Sequence, residues 1–586
     1  VAWIYSSGNI GKNNTSQIQC SPIVVDDILY GTDPSLSLFA LDAKTGKEIW
    51  KFDPKNSNSN GLGVNRGVIF WDDNEDGMII YSKGIYLYGI DAKTGKIEKK
   101  FGENGRIDLR KNLGRDYKDQ FVLSNTPGVI YKKLLIQGTR VNEGPGASPG
   151  HIRAYDLHTG KLSWIFHTIP MPEEYGYETW PRDAWKYAGG ANSWAGMALD
   201  ENMGIVYIPT GSASYDFYGG DRKGKNLFAN SLIAINAKNG KRIWHFQFVH
   251  HDLWDRDLPS PPNLVTIKKD NNSIKAVAQV TKSGHVFVFD RKTGEPVWEI
   301  EERPVPQSTV PGEVTSPTQP FPTKPAPFDR QGATEENLID FTPELRAEAL
   351  AIFENYVTGP VFTPPSVATE NGTQGTIQLP GSQGGADVQG AAFDPETGYL
   401  YIPSITSPFV ADIFPGDPDN TNLAYTKGSR RWIAGPQGLP LFKPPYGRIT
   451  AIDMNTGEHV WMVANGDGPI DNPAIAHLNL EKLGVPGRPA PLVTGSLLFM
   501  GEGLTNLRPG GRIPFDMPVE IATNSGGPWF RAYDKQTGET VWEIELEAGT
   551  TSPPVSYLHD GEQYILVSIG DRSHSPEMVA FKLNRN

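Results

Sequence analysis

One eleven-residue pattern recurs seven times in this chain, and it constrains the fold more than any other feature. The copies read ALDAKTGKEIW ending at Trp50, GIDAKTGKIEKK around Gly95, and AYDLHTGKLSW ending at Trp164. Four more follow: AINAKNGKRIW to Trp244, VFDRKTGEPVW to Trp298, AIDMNTGEHVW to Trp461 and AYDKQTGETVW to Trp542. Each copy reads as a β-hairpin. An Asp or Asn opens the turn and a Gly supplies the positive φ that it needs. The flanking Ile, Val, Tyr and Trp favour strands. A Trp four residues after the Gly can dock against the neighbouring copy and bury a large area. The plainer alternative is an ordinary series of hairpins in a sandwich. Repetition of one turn with one Trp instead predicts an all-β β-propeller built of TGxxxW repeats.

The turn glycines fall at 46, 95, 160, 240, 294, 457 and 538. The wide interval from 294 to 457 holds a Pro-rich stretch, RPVPQSTVPGEVTSPTQPFPTKPAPF, and one helical run, TPELRAEALAIFENY. It reads as an excursion over 299–380 with a short helix. The C-terminal MVAFKL ends where the N-terminal VAWIYS would begin. Pairing Val1–Ser6 with the strand around Val579–Leu583 would make an eighth blade and remove the open edges. Eight blades in a single domain, 1–586, is the expectation, with seven the alternative.

Composition excludes several classes. The formal charge is −13, which argues against a nucleic-acid partner, since phosphate binding wants a basic face. No apolar run reaches the length of a membrane-spanning helix. The opening VAWIYSSGNIG lacks the basic start and apolar core of a signal peptide. Starting on Val rather than Met suggests either a processed mature chain or a trimmed one; with a signal peptide taken as removed, the expected location is periplasmic or secreted. One cysteine, Cys20, rules out an intrachain disulfide, CxxCH haem attachment and cysteine zinc sites.

The stretch VHHDLWDRDLPSPP, from Val249 to Pro262, crowds Asp252, Asp255 and Asp257 into six residues. Like charges repel, and the prolines forbid a helix that would spread them. A cation or a catalytic task is the expected justification. A plain turn acid is the alternative for Asp255.

The seven turns, HHDLWDRD, GGANSWAG and QVTKSGHVFVFDRKTG together resemble the quinoprotein dehydrogenases, most closely their glucose-dehydrogenase branch. The resemblance spans nearly the whole chain. It implies an eight-bladed propeller carrying pyrroloquinoline quinone (PQQ) and a metal: Ca²⁺, with Mg²⁺ or a lanthanide as alternatives. It implies Asp255 as the catalytic base and Lys282, 27 residues on, as the cation reaching the quinone oxygens. Glu143, Asn226 and Asp255 would be metal ligands, and Asp257 an extra one. Trp194 would floor the flat cofactor, and Arg66 would grip one of its carboxylates. His250, His251 and Asp252 would hold the loop by hydrogen bonds. Two departures mark the pocket. Asn60 and Gly61 stand where the alcohol-oxidising branch has adjacent cysteines, and Leu62 where the glucose branch has a His. Gln19 stands where the family commonly has a Glu. The implied activity is oxidation of a sugar or another alcohol, with electrons passed to an external acceptor, cytochrome c or a quinone. A non-catalytic propeller scaffold and a carbohydrate-binding propeller are the alternatives. Substrate choice is expected in the excursion and in GGADVQGAAFDPETG near Asp387.

Overall fold

The computed structural model describes residues 1–8, 17–54, 64–72, 77–116, 118–269, 272–369, 372–419, 421–428, 433–503, 526–571 and 573–583. It is an all-β propeller. Among the described residues, antiparallel meanders follow one another over 23–52, 69–108, 129–166, 198–247, 263–290, 392–464 and 492–545. Each is four-stranded except 263–290, which has three strands. A further four-stranded sheet combines strands from 555–582 with the N-terminal strand Trp3–Ser6. Trp3 lies opposite Ala580 and Ser6 opposite Glu577, so the partner segment begins two residues earlier than the sequence suggested.

The repeated Gly and Trp are two halves of one contact. A Cβ on Gly240 would lie 2.6 Å from the Trp164 ring, and one on Gly294 would lie 2.6 Å from Trp244. Gly95 meets Trp50 in the same way, Gly457 meets Trp298 and Gly538 meets Trp461. Each indole therefore lies flat on the turn of the next repeat. Several also donate Nε1–H to a backbone carbonyl within that turn, as Trp50 does to Ala92 at 3.1 Å and Trp164 to Ala237 at 3.2 Å. The first turn, Gly46, has no preceding repeat. Trp3 fills that place, 2.5 Å from the imagined Cβ, and donates to the Ala43 carbonyl at 3.0 Å. Trp542, in the last repeat, has no following TG turn and is 42% exposed, against 9% for Trp164.

Gly240→Ala tests this coupling. The φ of +73° is left-handed, and the new methyl would press into Trp164. The two effects should together cost about 2–5 kcal/mol. The readout is the urea midpoint. A loss under about 1 kcal/mol would mean that the indole does not rest on the turn.

The Pro-rich excursion has the expected helix, Pro343–Phe353. Thr342 caps it, accepting from the Leu345 N–H at 3.2 Å, and Pro343 takes its first turn, where no N–H is missed. Leu345, Ala349 and Phe353 share one buried stripe and join a cluster with Ile377, Leu379, Leu439 and Phe442. Part of that cluster comes from a second insertion, between the strands Tyr399–Ile405 and Gly447–Asp453. Thr376–Gln378 pairs with Phe409–Pro415 in this insertion. The sequence reading did not anticipate it, because it lies inside a meander whose repeat turn follows it intact.

Candidate active site

A cavity of about 250 Å³ gathers residues from every meander. Its lining includes Gln19, Arg66, Thr126, Ala195, Pro261, Gln389, Arg488 and Ser552. Each of these lies in the segment leading into the first strand of a different meander. Gln19 and Arg66, both singled out from the sequence, meet here. The Arg66 guanidinium lies 5.5 Å from the centre of the Trp194 ring, a cation–π distance. Thr126 joins the two, accepting from Arg66 at 3.4 Å and donating to the Trp194 carbonyl at 2.8 Å. Asn60, Gly61 and Leu62 lie outside the described residues.

The acidic stretch is anchored by its apolar members. Leu253, Trp254 and Leu258 are each 1% exposed and pack with Phe248, Phe287 and Phe362. The Trp254 indole donates to the Thr363 carbonyl at 2.8 Å. This anchoring turns the acids inward, and each finds a different partner. Asp252 accepts from the N–H groups of Trp254 at 2.9 Å and Arg256 at 2.8 Å, and from the Asn230 amide at 3.0 Å. It is a loop brace. His250 bridges Gln247 and Glu302, both at 2.9 Å, and His251 bridges the Gly224 carbonyl and Glu313 at 2.8 and 2.7 Å. These bonds are of the loop-holding kind expected for them.

Asp255 and Asp257 share one cation. Lys282 Nζ donates to Asp255 Oδ1 and to Asp257 Oδ2, both at 2.9 Å, and to the Asp255 carbonyl at 3.0 Å. All three side chains are buried, at 10%, 15% and 6% exposure for Asp255, Asp257 and Lys282. Burial disfavours charge on Asp257. The Lys282 charge, its hydrogen bond and the Ser212 N–H at 2.6 Å outweigh that and hold the carboxyl below its ordinary range. Burial likewise disfavours charge on Lys282, and the fields of Asp255, Asp257 and Asp387 overcome it and raise its pKa well above the usual value. Gly211 makes room for this arrangement, since a Cβ there would sit 2.4 Å from Asp257 Oδ1. Asp255 itself holds a left-handed φ of 56°. Such strain in a non-glycine residue persists only where the surroundings enforce it.

The other two expected metal ligands stand differently. Asn226 is 1% exposed, and its Oδ1 accepts from Arg222 at 2.8 Å while its amide donates to the Arg222 carbonyl at 2.6 Å. Arg222 is fully buried and also donates to the carbonyls of Tyr215 and Asp252. Glu143 is exposed on its loop. Among the described residues, no three His, Cys, Asp or Glu side chains are grouped to hold a metal ion. Oxygen donors suited to a hard cation are nevertheless present in Asp255 and Asp257.

Two basic residues escaped the sequence reading. Arg256 is 3% exposed and donates to the Gly381 carbonyl at 2.6 Å, and burial pushes its pKa down to about 10. Arg488 lines the cavity and pairs with Asp387 at 2.8 Å. A signal existed for Arg488: it stands just ahead of a meander's first strand, as Arg66 does.

Fold and site together define a propeller enzyme with a cationic cavity and a buried acid–lysine cluster. The chain belongs to the PQQ glucose/ethanol/alcohol dehydrogenase β-propeller family, whose model matches residues 1–565. It is thereby a PQQ-dependent oxidoreductase. It is 30% identical to quinoprotein glucose dehydrogenase A of Acinetobacter calcoaceticus, over 97% of this chain and 73% of that protein. It is 31% identical to quinoprotein glucose dehydrogenase of Gluconobacter oxydans, over 100% of this chain and 76% of that one. Quinate/shikimate dehydrogenase (quinone) of Acinetobacter baylyi is 29% identical, over 100% of this chain and 75% of its own length. Among solved structures, the quinohemoprotein alcohol dehydrogenase of Comamonas testosteroni superposes with a TM-score of 0.67 at 22% identity, covering 99% of this chain and 76% of its own. No helix among the described residues is long and apolar enough to cross a membrane.

Proposed function

We propose that the protein oxidises a sugar or another alcohol, with PQQ seated in the cavity and Asp255 as the base. One observation carries this reading: a buried carboxylate, Asp255, shares Lys282 with Asp257 at 2.9 Å. PQQ, when bound, supplies the two-electron acceptor for the carbinol hydride. The chain's own residues do the rest. Asp255 takes the hydroxyl proton, and Lys282 holds its carboxylate in place and offers positive charge where negative charge develops. Arg66 holds a cofactor carboxylate, Trp194 supports the flat ring system, and Gln19 contributes to the wall. Asp255 and Asp257 would hold a hard cation, Ca²⁺ or a lanthanide, with Asn226 and Glu143 as further ligands. For Asn226 to serve, its oxygen must exchange Arg222 for the metal. The same reading takes the meanders as eight blades of one domain, 1–586, closed by Trp3–Ser6. It places the enzyme in the periplasm or outside the cell, passing electrons to a separate cytochrome c or quinone.

The test is reconstitution. Protein loaded with PQQ and either Ca²⁺ or a lanthanide should reduce a dye with at least one member of a sugar and alcohol panel. Chelation and dialysis should abolish that activity, and the metal should restore it. Full activity in a preparation shown to be metal-free would overturn the metal assignment. Absence of PQQ binding would favour a scaffold or a carbohydrate-binding propeller.

A further inference from the structure

We infer that Arg488, oriented by Asp387, is a second carboxylate-binding residue of the cavity, which takes an anionic group from whichever ligand lies on that side. The inference rests on reading the cavity as the cofactor and substrate site. Among the described residues that line it, the charged ones are Arg66 and Arg488, both cationic, with Asp387 behind the wall balancing part of the Arg488 charge. A wall of this composition favours an anion over a neutral polyol. Arg66 is engaged on the Trp194 side. Arg488 stands on the Lys282 side, because its partner Asp387 lies on the loop whose Gly385 N–H donates to the Lys282 carbonyl at 3.0 Å.

The pairing leaves donors to spare. Arg488 Nη2 lies 2.8 Å from Asp387 Oδ2, and the other Asp387 oxygen accepts from the Val388 N–H at 2.7 Å. Arg488 Nε is buried and has no hydrogen-bond partner. Nε is closed to solvent, so the 18% of the side chain that stays exposed is what the cavity offers a ligand, and a carboxylate matches a guanidinium better than any neutral group. Asp387 fixes the plane of that fork and so acts as a positioning residue.

Three measurements on the full chain test the inference. Cofactor-free protein is titrated calorimetrically with benzene-1,3,5-tricarboxylate. PQQ binding is followed by absorbance. KM is compared for a hydroxy acid and its neutral alcohol counterpart. Arg488→Gln should weaken tricarboxylate binding roughly tenfold or more, and Arg488→Lys less, since it keeps the charge but loses the fork. Asp387→Asn should give an intermediate loss. A matching loss in PQQ affinity assigns the carboxylate to the cofactor, and a rise in KM confined to the hydroxy acid assigns it to the substrate. If Arg488→Gln leaves tricarboxylate binding, PQQ binding and the KM ratio within twofold of wild type, the inference falls. Should that variant fold poorly, Arg488→Gln with Asp387→Asn removes both charges and carries the same test. Tricarboxylate binding that depends on Arg488 in a protein unable to bind PQQ would retain this site and overturn the dehydrogenase reading.

Discussion

Asp255→Asn is expected to keep PQQ bound while slowing turnover about 10²–10⁴-fold, the usual cost of removing a general base. The amide has the same shape, so its oxygen can still accept from Lys282, which now lies 2.9 Å from Asp255 Oδ1. It can still offer that oxygen to a cation. What it cannot do is take a proton. Initial rates at saturating cofactor, together with the absorbance of bound PQQ, separate the two effects. Near wild-type turnover would remove Asp255 as the base. The adjacent histidines are poor replacements, because His250 is tied to Glu302 at 2.9 Å and His251 to Glu313 at 2.7 Å. Asp257→Ala is the contrast. It removes one ligand oxygen and should shift preference away from trivalent ions, which need more negative charge around them.

Lys282→Met is expected to destabilise the fold by about 3–5 kcal/mol near neutral pH, besides abolishing activity, because it strands buried carboxylates without their cation. In the wild-type protein this cluster should contribute evenly from about pH 5 to pH 10. The folded pKa of Asp257 is depressed, so its contribution is present above the unfolded value and is lost only as pH falls through the lower folded value. The folded pKa of Lys282 is raised, so its contribution is complete below the unfolded value and is lost only as pH rises through the higher folded one. Removing the lysine reverses the situation of the acids. Burial would then raise their pKa, and protonation would relieve the penalty. The gap between variant and wild type should therefore narrow from pH 8 to pH 5. Urea unfolding at both pH values measures it. A deficit under about 1 kcal/mol at pH 8 would mean that water, and not Lys282, satisfies the carboxylates.

The family motifs were legible because they are local. HHDLWDRD works as a unit: its apolar residues bury, its histidines and Asp252 brace the loop, and Asp255 and Asp257 are left facing Lys282. Arg66 and Gln19 both line the cavity, and Arg66 lies over the Trp194 ring. The metal set was less legible. Asn226 Oδ1 faces Arg222, a residue with no motif of its own, and Glu143 sits exposed on a loop. The pairing of Arg488 with Asp387 was not legible, although each lies in a segment with a signal of its own, since they stand 101 residues apart and no short pattern links them.

By itself, the sequence determined the repeating unit. Asp or Asn, Thr and Gly write a turn within five residues, β-branched and aromatic neighbours write its strands, and the Trp that follows needs a flat partner. Those are short-range requirements, met by each copy alone or with the next. Only the tertiary structure decided which side chains share the cavity. Its walls come from segments as distant as Gln19 and Ser552, brought together because successive sheets pack around a common centre. Only the fold brings Lys282 and the two aspartates out of water together, where burial strengthens the attraction between opposite charges.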